Sequence, residues 1–101
     1  MQKLAVIGDE HLVLAYRMLG AETFVAHSAE EMMEILKELL AREDIGVILV
    51  ARDLVEPVME DFSRIASRVR PPIVSVLPTM KAPGEPVDMR KLLMRALGVG
   101  G

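Results

Sequence analysis

Leu4-Ala5-Val6-Ile7-Gly8-Asp9 is the stretch that decides the fold class, and the segment after it ends in Tyr16-Arg17-Met18-Leu19-Gly20. A short run that is apolar throughout and stops at Gly-Asp predicts a strand buried on both faces, here at residues 3–7. The apolar residues that follow recur at helical spacing: Leu12, Val13, Tyr16 and Leu19. They predict a helix from Asp9 or Glu10 to Leu19, and Gly20 stands where a helix end favours a left-handed residue.

The alternation of strand and helix continues, with further strands predicted at residues 23–26, 47–51 and 73–77. The second helix begins at Ser28, whose side chain forms a capping box with Glu31. Its apolar positions lie on one helical face: Ala29, Met32, Met33, Leu36, Leu39 and Leu40. This pattern predicts a helix packed against the sheet along that face.

Apolar residues at helical spacing also predict a third helix, which runs to about Arg70: Leu54, Val58, Phe62, Ile65 and Val69. Asp53 can cap this helix, Pro57 is tolerated in its first turn, and Pro71-Pro72 ends it. A last helix is expected after a cap at Asp88 and ends at Gly98. Strands that alternate with helices and are apolar throughout predict a parallel sheet covered on both faces.

Right-handed crossovers favour the strand order 2-1-3-4, with helices one and four on one face and helices two and three on the other. Residues 1–101 are therefore predicted to form a single small Rossmann-like α/β domain. It has a four-stranded parallel sheet, one strand fewer than the receiver domain of a response regulator.

Composition excludes several classes of function. The chain has no cysteine, which excludes disulfides, thiolate metal sites and cysteine nucleophiles. Its apolar runs are too short to span a membrane and no signal segment is present, so a cytoplasmic protein without membrane insertion is expected. A net charge of −3, and three aromatic residues that do not interleave with basic ones, argue against nucleic-acid binding. Neither glycine-rich nucleotide motif occurs, so no cofactor is predicted.

Charge is distributed unevenly along the chain. Residues 9–44 carry nine acidic and three basic side chains, whereas residues 45–101 carry six acidic and eight basic ones. A dipolar surface of this kind can orient a partner during encounter. The alternative is that both regions are ordinary solvated faces.

In parallel sheets of this type, ligands bind beyond the carboxyl ends of the strands, here between strands one and three. That crevice is expected to hold Gly8, Asp9, Glu10, Arg52 and Asp53. Its carboxylates could bind magnesium. A simpler interpretation is that the two aspartates cap helices.

The stretch Asp53-Leu54-Val55-Glu56-Pro57 resembles the segment after the phosphorylated aspartate of receiver domains. Such a domain also needs a strand that carries a lysine followed by proline, whereas Lys81 lies in a loop before Ala82. Thr79 stands near the position of the receiver's switch hydroxyl, but beyond Pro78. His11 and His27 are far apart in the pattern, and no metal ligand set or catalytic residue is predicted.

The chain resembles the F subunit of the archaeal and bacterial A/V-type rotary ATPases. Members begin with a strand of roughly V-I-G-D and a helix that ends in F-R-L-A-G, and Arg17 and Gly20 match that helix end. A second match is Glu43-Asp44-Ile45-Gly46-Val47-Ile48-Leu49-Val50, which resembles the family's entry into its third strand. A third match is Pro71-Pro72-Ile73-Val74, followed by a short polar loop and a last helix that ends near Ala96-Leu97-Gly98. The resemblance covers nearly the whole chain.

This resemblance implies a non-catalytic rotor subunit of the central stalk, which binds the coiled-coil D subunit and helps couple ATP hydrolysis or synthesis to ion transport. Contact with the catalytic A and B heads and with the membrane rotor would be indirect, on the cytoplasmic side of the membrane. A receiver-like phosphorylation switch and a small ligand-binding domain are the alternatives.

Loops carry function in such folds, so the partner is expected to contact residues 9–12, 52–57 and 80–86. The candidate partner-binding residues are Asp9, Glu10, Leu12, Arg17, Arg52, Asp53, Glu56, Met80 and Lys81. Arg17 matches the family pattern but could equally pair with Glu10 or Glu22 inside the chain.

Overall fold

The secondary structure alternates between strands and helices along residues 2–79, the part of the chain that the computed structural model describes. In chain order its elements are β1 (Lys3–Gly8), α1 (Glu10–Met18), β2 (Glu22–Val25), α2 (Ala29–Leu40), β3 (Ile45–Ala51), α3 (Arg52–Val55), a 3-10 turn (Glu56–Val58), α4 (Met59–Ala66) and β4 (Ile73–Leu77). The strands form one sheet in the order β2-β1-β3-β4, with every neighbouring pair parallel. The predicted fold class and strand order are confirmed.

Two layers of apolar side chains hold the sheet between its helices. One face packs against α2, α3 and α4 through a large cluster that includes Ile7, Leu36 and Phe62. The other face packs against α1 through Val6, Val13, Tyr16 and Leu77. Strands β1 and β3 are central because they are apolar on both faces, as parallel strands covered by helices must be.

Local capping contacts begin and end the first helix. The Asp9 side chain accepts a hydrogen bond from the Leu12 amide over 2.8 Å and so caps α1. At the other end, Gly20 has a φ of 95°. The Gly20 amide donates to the Arg17 carbonyl over 3.0 Å and the Ala21 amide to the Tyr16 carbonyl over 3.1 Å. Together these bonds form the Schellman motif, which confirms the left-handed glycine predicted there.

The second helix begins at the predicted residue. Ser28 Oγ accepts a hydrogen bond from the Glu31 amide over 3.1 Å, which is one half of the predicted capping box. The residues of α2 that are buried follow the predicted face: Ala29, Met32, Leu36 and Leu39.

The predicted third helix is wrong in its start, its continuity and its end. The chain becomes helical at Arg52, directly after β3, so Asp53 lies in the first turn and makes no capping bond there. Pro57 has no amide hydrogen to continue the helical ladder, and a 3-10 turn separates α3 from α4. The helix then ends at Ala66, where Ser67 Oγ donates to the Arg64 carbonyl over 2.9 Å. Val69 continues the apolar spacing beyond this end but is 95% exposed.

Strand bounds shift only slightly from the prediction. β2 lies one residue earlier than predicted, β3 begins two residues earlier, and β4 has the predicted bounds. The predicted last helix, the loop before it and the residues Met80 and Lys81 lie outside the described residues. Between residues 2 and 79, none of the helices is both long and apolar enough to cross a membrane.

Candidate functional site

The carboxyl ends of the four strands bring several polar residues to one edge of the sheet. Because parallel strands end at the same edge, the residues that follow β1, β3 and β4 meet there. Asp9 and Glu10 follow β1, Arg52 and Asp53 follow β3, and Thr79 lies two residues after β4. We call this region the carboxyl edge, and it brings together the residues that the sequence places beyond strands one and three.

Gly8, Asp9 and Leu12 shape the carboxyl edge from within the fold. A side chain at Gly8 would place its Cβ 2.6 Å from Leu12 Cδ2, so the backbone and the first turn of α1 approach closely here. Leu12 is half-buried and packs against both core clusters. Asp9 caps the same turn. Of the predicted contact residues, Asp9 and Leu12 therefore have structural roles that hold α1 in place.

Glu10 forms an exposed ion pair with His27, which follows β2. Their side chains meet through Glu10 Oε1 and His27 Nε2. The hydrogen bond to Glu10 raises the pKa of His27 above its ordinary value, and the same bond lowers the pKa of Glu10. The crevice expected from the sequence did not include His27, because its partner lies 17 residues away in the chain.

Asp53 and Arg52 lie side by side at the start of α3 but have different partners. Asp53 Oδ1 accepts a hydrogen bond from Thr79 Oγ1 over 3.2 Å. Arg52 Nε lies 4.0 Å from Glu56 Oε1, one helical turn away, and both of these side chains are substantially exposed. Asp53 is thus engaged within the fold, whereas Arg52 and Glu56 present charge at the surface.

Arg17 does not lie at the carboxyl edge. Its Nε donates a hydrogen bond to Thr23 Oγ1 over 3.0 Å, near the start of β2. Neither of the carboxylates considered from the sequence pairs with it, because Glu10 pairs with His27 and Glu22 with Arg42. Arg17 thus links the end of α1 to the start of β2, near the amino ends of the strands.

The amino edge of the sheet is held by an ion network around Arg42. The guanidinium donates two hydrogen bonds to the Asp44 carboxylate, over 2.9 and 2.6 Å, and one to Glu22 Oε1 over 2.9 Å. Lys3 Nζ lies 3.6 Å from Asp44 Oδ2. Hydrogen bonds from Arg42 lower the pKa of Asp44 from 3.8 to about 2. The network links β1, β2 and the loop before β3.

The carboxyl edge offers exposed charges for contact with a partner. Glu10 and Glu56 are exposed and the Arg52 side chain is 39% exposed, whereas Asp9, Leu12 and Asp53 are held by contacts within the fold. Across residues 2–79, no three histidine, aspartate or glutamate residues come together in a group that could hold a metal ion. At its surface this edge therefore presents two carboxylates, of Glu10 and Glu56, and the guanidinium of Arg52.

Comparisons with known proteins agree on one family. A family model described as ATP synthase (F/14-kDa) subunit matches residues 4–96. The F subunit of the V-type ATP synthase of Fusobacterium nucleatum is 33% identical over 76 residues, which cover 75% of this chain and 71% of that protein. The F subunit of the A-type ATP synthase of Thermococcus kodakarensis is 33% identical over an alignment of 104 positions, which covers 96% of this chain and 95% of that protein.

A solved structure resembles the fold described above. The crystal structure of the F subunit of the V-type ATP synthase from Archaeoglobus fulgidus superposes with a TM-score of 0.58 at 21% sequence identity. The match covers 75% of this chain and 96% of that chain. At this level of identity the likeness shows that the two chains share a fold.

Proposed function

This chain belongs to the family of ATP synthase (F/14-kDa) subunits, and from that membership we propose that it is a non-catalytic subunit of the central stalk of an A/V-type ATP synthase. It binds the coiled-coil D subunit and helps couple ATP hydrolysis or synthesis to ion transport. The observation that carries the proposal is the family match over residues 4–96, joined by relatives of similar length that are named as the F subunit.

A non-catalytic role is supported by the contacts of the acidic residues at the carboxyl edge. Asp9 accepts a hydrogen bond from the Leu12 amide, and Asp53 accepts one from the Thr79 hydroxyl. The Asp9 carboxylate thus stabilises the start of α1, and the Asp53 carboxylate links the start of α3 to the segment after β4. Glu10 is exposed beside His27, where it can meet another protein.

The proposed contact with the D subunit uses the exposed charges of the carboxyl edge. Glu10, Arg52 and Glu56 would meet the coiled coil directly, because charged groups at the rim of an interface steer encounter and set register. Asp9, Leu12 and Asp53 would contribute to the contact indirectly, because they hold the segments that carry these charges in place. Met80, Lys81 and Arg17 stay predicted contacts. The first two lie outside the described residues, and Arg17 lies near the amino edge.

The remaining contacts proposed for this chain follow from its place in the stalk. The catalytic A and B heads and the membrane rotor would be reached through the D subunit, on the cytoplasmic side of the membrane. No catalytic group, cofactor or metal of its own is required for that role. Its contribution to the complex is then measured by coupling, the number of ions transported per ATP consumed.

Reconstitution of the ATP synthase with and without this chain tests the proposal. We expect the complex that lacks the chain to transport fewer ions per ATP hydrolysed, and the purified chain to restore the ratio when added back. A variant such as Lys37→Ala, changed on the outer face of α2, serves as the matched control and should restore it fully. A chain that fails to join the complex, or leaves the ratio unchanged, would contradict the proposal.

A receiver-like phosphorylation switch is the second candidate function. The hydrogen bond between Thr79 and Asp53 favours it, because it joins a hydroxyl after β4 to an acid after β3. Incubation with acetyl phosphate and magnesium, followed by intact mass measurement, separates the two functions. Our proposal predicts no added phosphoryl group, whereas a modification that is lost in Asp53→Asn would support the switch.

A further inference from the structure

The pairing of β1 with β2 brings Glu10 and His27 together at the carboxyl edge, although they are 17 positions apart in sequence. Beyond the paired strands, the Ala26 amide donates a hydrogen bond to the Gly8 carbonyl over 3.1 Å. Because the two strands are parallel, the helices that follow them begin at the same edge. Glu10 lies in the first turn of α1, and His27 lies just before the N-cap of α2.

The contact between these two side chains leaves part of the carboxylate free of it. Glu10 Oε1 and His27 Nε2 form the hydrogen bond, whereas Glu10 Oε2 takes no part in it. The side chain of His27 is 64% exposed and that of Glu10 is 63% exposed. A carboxylate can accept bonds at both of its oxygens. Glu10 can therefore hold His27 through one oxygen and accept a bond from a partner protein through the other.

Within residues 2–79, the charged groups that act on this pair from neighbouring elements are acidic. The Asp9 carboxylate precedes α1 and acts on its first turn, and the Glu31 carboxylate acts from the first turn of α2. The next charged residues along the edge, Arg52 and Asp53, follow β3, which lies on the other side of β1. The pair is thus a cation and an anion in an acidic neighbourhood.

Of the two partners, only His27 exchanges its proton near neutral pH. The hydrogen bond to Glu10 is the main cause that raises the pKa of His27 above its ordinary value of 6.5, and the charge of Glu31 adds to it. The same bond lowers the pKa of Glu10 below its ordinary value of 4.5. Glu10 therefore stays ionised between about pH 6 and pH 8, while His27 changes from a cation to a neutral ring.

We propose that His27 is a positioning residue for Glu10 and makes the affinity for the D subunit depend on pH. This inference rests on the proposed function, in which Glu10 meets the coiled coil directly. It adds to that function a further residue and a control by protons. His27 acts through the carboxylate that it holds and needs no contact of its own with the D subunit.

The two protonation states of His27 affect the Glu10 carboxylate differently. The imidazolium holds Oε1 and offsets the negative charge, whereas the neutral ring can donate a hydrogen bond but offsets no charge. Any group that binds Glu10 directly must donate a hydrogen bond or carry positive charge, because an ionised carboxylate only accepts. Such a group is attracted more strongly once His27 is neutral. The proton on His27 and the D subunit therefore weaken each other's binding by the same factor.

Affinity for the D subunit of the same genome, measured by titration calorimetry on the full chain at low ionic strength, tests this control. Each Kd is measured at about pH 6 and at about pH 8, on either side of the His27 titration. We expect the unaltered chain to gain about threefold more affinity than His27→Gln on this rise in pH, as befits an exposed ion pair. Ionisable groups of the D subunit affect both chains alike and cancel in that comparison.

Further variants separate positioning from the charge effect. His27→Gln keeps a donor for Glu10, so it should bind like the unaltered chain at the higher pH. His27→Ala keeps neither donor nor charge and should bind more weakly than the glutamine variant there. Glu10→Gln has no charge to offset and should lose the same part of the pH dependence. His11→Gln changes the other histidine of the chain and should keep the pH dependence.

A titration of the His27 ring by NMR in the isolated chain tests the pair without a partner. The pKa of His27 should fall in Glu10→Gln, and an unchanged pKa would overturn the pairing and the inference. If the pKa falls but His27→Gln and the unaltered chain show the same pH dependence of Kd, the pair does not control binding and the inference is wrong. Failure of the unaltered chain to bind at either pH would overturn the proposed function, and this inference with it.

Discussion

Thr79 Oγ1 donates a hydrogen bond to Asp53 Oδ1 over 3.2 Å and so joins two neighbouring strand ends at the carboxyl edge. Asp53 lies in the first turn of α3, directly after β3, and Thr79 lies two residues beyond β4. The two residues are 26 positions apart in sequence. The bond therefore fixes the start of α3 against the segment that leaves the sheet, and both proposed functions depend on this edge.

A double-mutant cycle at this pair measures the contribution of the bond. Thr79→Val and Asp53→Ala should each lower the free energy of unfolding in urea, and the coupling between them should be about 1 kcal/mol. Thr79→Ser keeps the hydroxyl and should retain most of that coupling. If the two substitutions are simply additive, the hydrogen bond does not stabilise the edge.

Gly20 stabilises the end of α1 through its backbone conformation. Its φ is 95°, and no heavy atom lies within 4 Å of the position that a Cβ would take, so a substitution there is strained without any steric clash. We expect Gly20→Ala to lower the free energy of unfolding by about 1 kcal/mol. Gly20→Asn should cost less, because asparagine tolerates the left-handed region. If the alanine variant is as stable as the unaltered chain, Gly20 does not stabilise the end of α1 through a Schellman motif.

Asp44 should make stability depend on pH in the acid range. Its folded pKa is lowered from 3.8 to about 2, mainly by hydrogen bonds from Arg42. A lowered folded pKa means that the paired carboxylate stabilises the fold above pH 3.8 and loses that effect as the pH falls to about 2. Urea unfolding should therefore show Asp44→Asn less stable than the unaltered chain at neutral pH, with the difference vanishing toward pH 2. A difference that stays constant with pH would exclude this linkage.

Exposed charges at the carboxyl edge should affect partner affinity without affecting the fold. Alanine substitution of Glu10, Arg52 or Glu56 is expected to weaken binding to the D subunit, by about fivefold or more for any residue that acts as a hot spot. Glu34→Ala, on the outer face of α2, is the matched control. Titration calorimetry supplies the affinities, and retained affinity in all three edge variants would remove this surface from the proposed interface.

Local signals in the sequence were sufficient for most of the fold. The apolar run that ends at Gly8 predicts a central strand, Ser28 marks the start of α2, and Gly20 marks the end of α1. Each signal acts through the backbone of its own segment, as capping and burial patterns do. Strand order then follows from the handedness of the crossovers.

Contacts between distant segments were the part that the sequence could not supply. Asp53 is a residue type that commonly caps helices, yet the helix already begins at Arg52, and the Asp53 carboxylate accepts a hydrogen bond from Thr79 instead. Apolar spacing continues through Val69, but only tertiary packing decides that this side chain is exposed and that the helix has ended. The hydrogen bond from Arg42 to Glu22 likewise joins residues that are 20 positions apart, so local sequence patterns do not reveal it.

Native mass spectrometry of this chain mixed with the D subunit of the same genome tests the central claim most directly. Our account predicts a stable complex with one copy of each protein, which persists in the Lys37→Ala control. If the two folded proteins remain separate species when mixed in equal amounts, the proposed role in the central stalk is wrong.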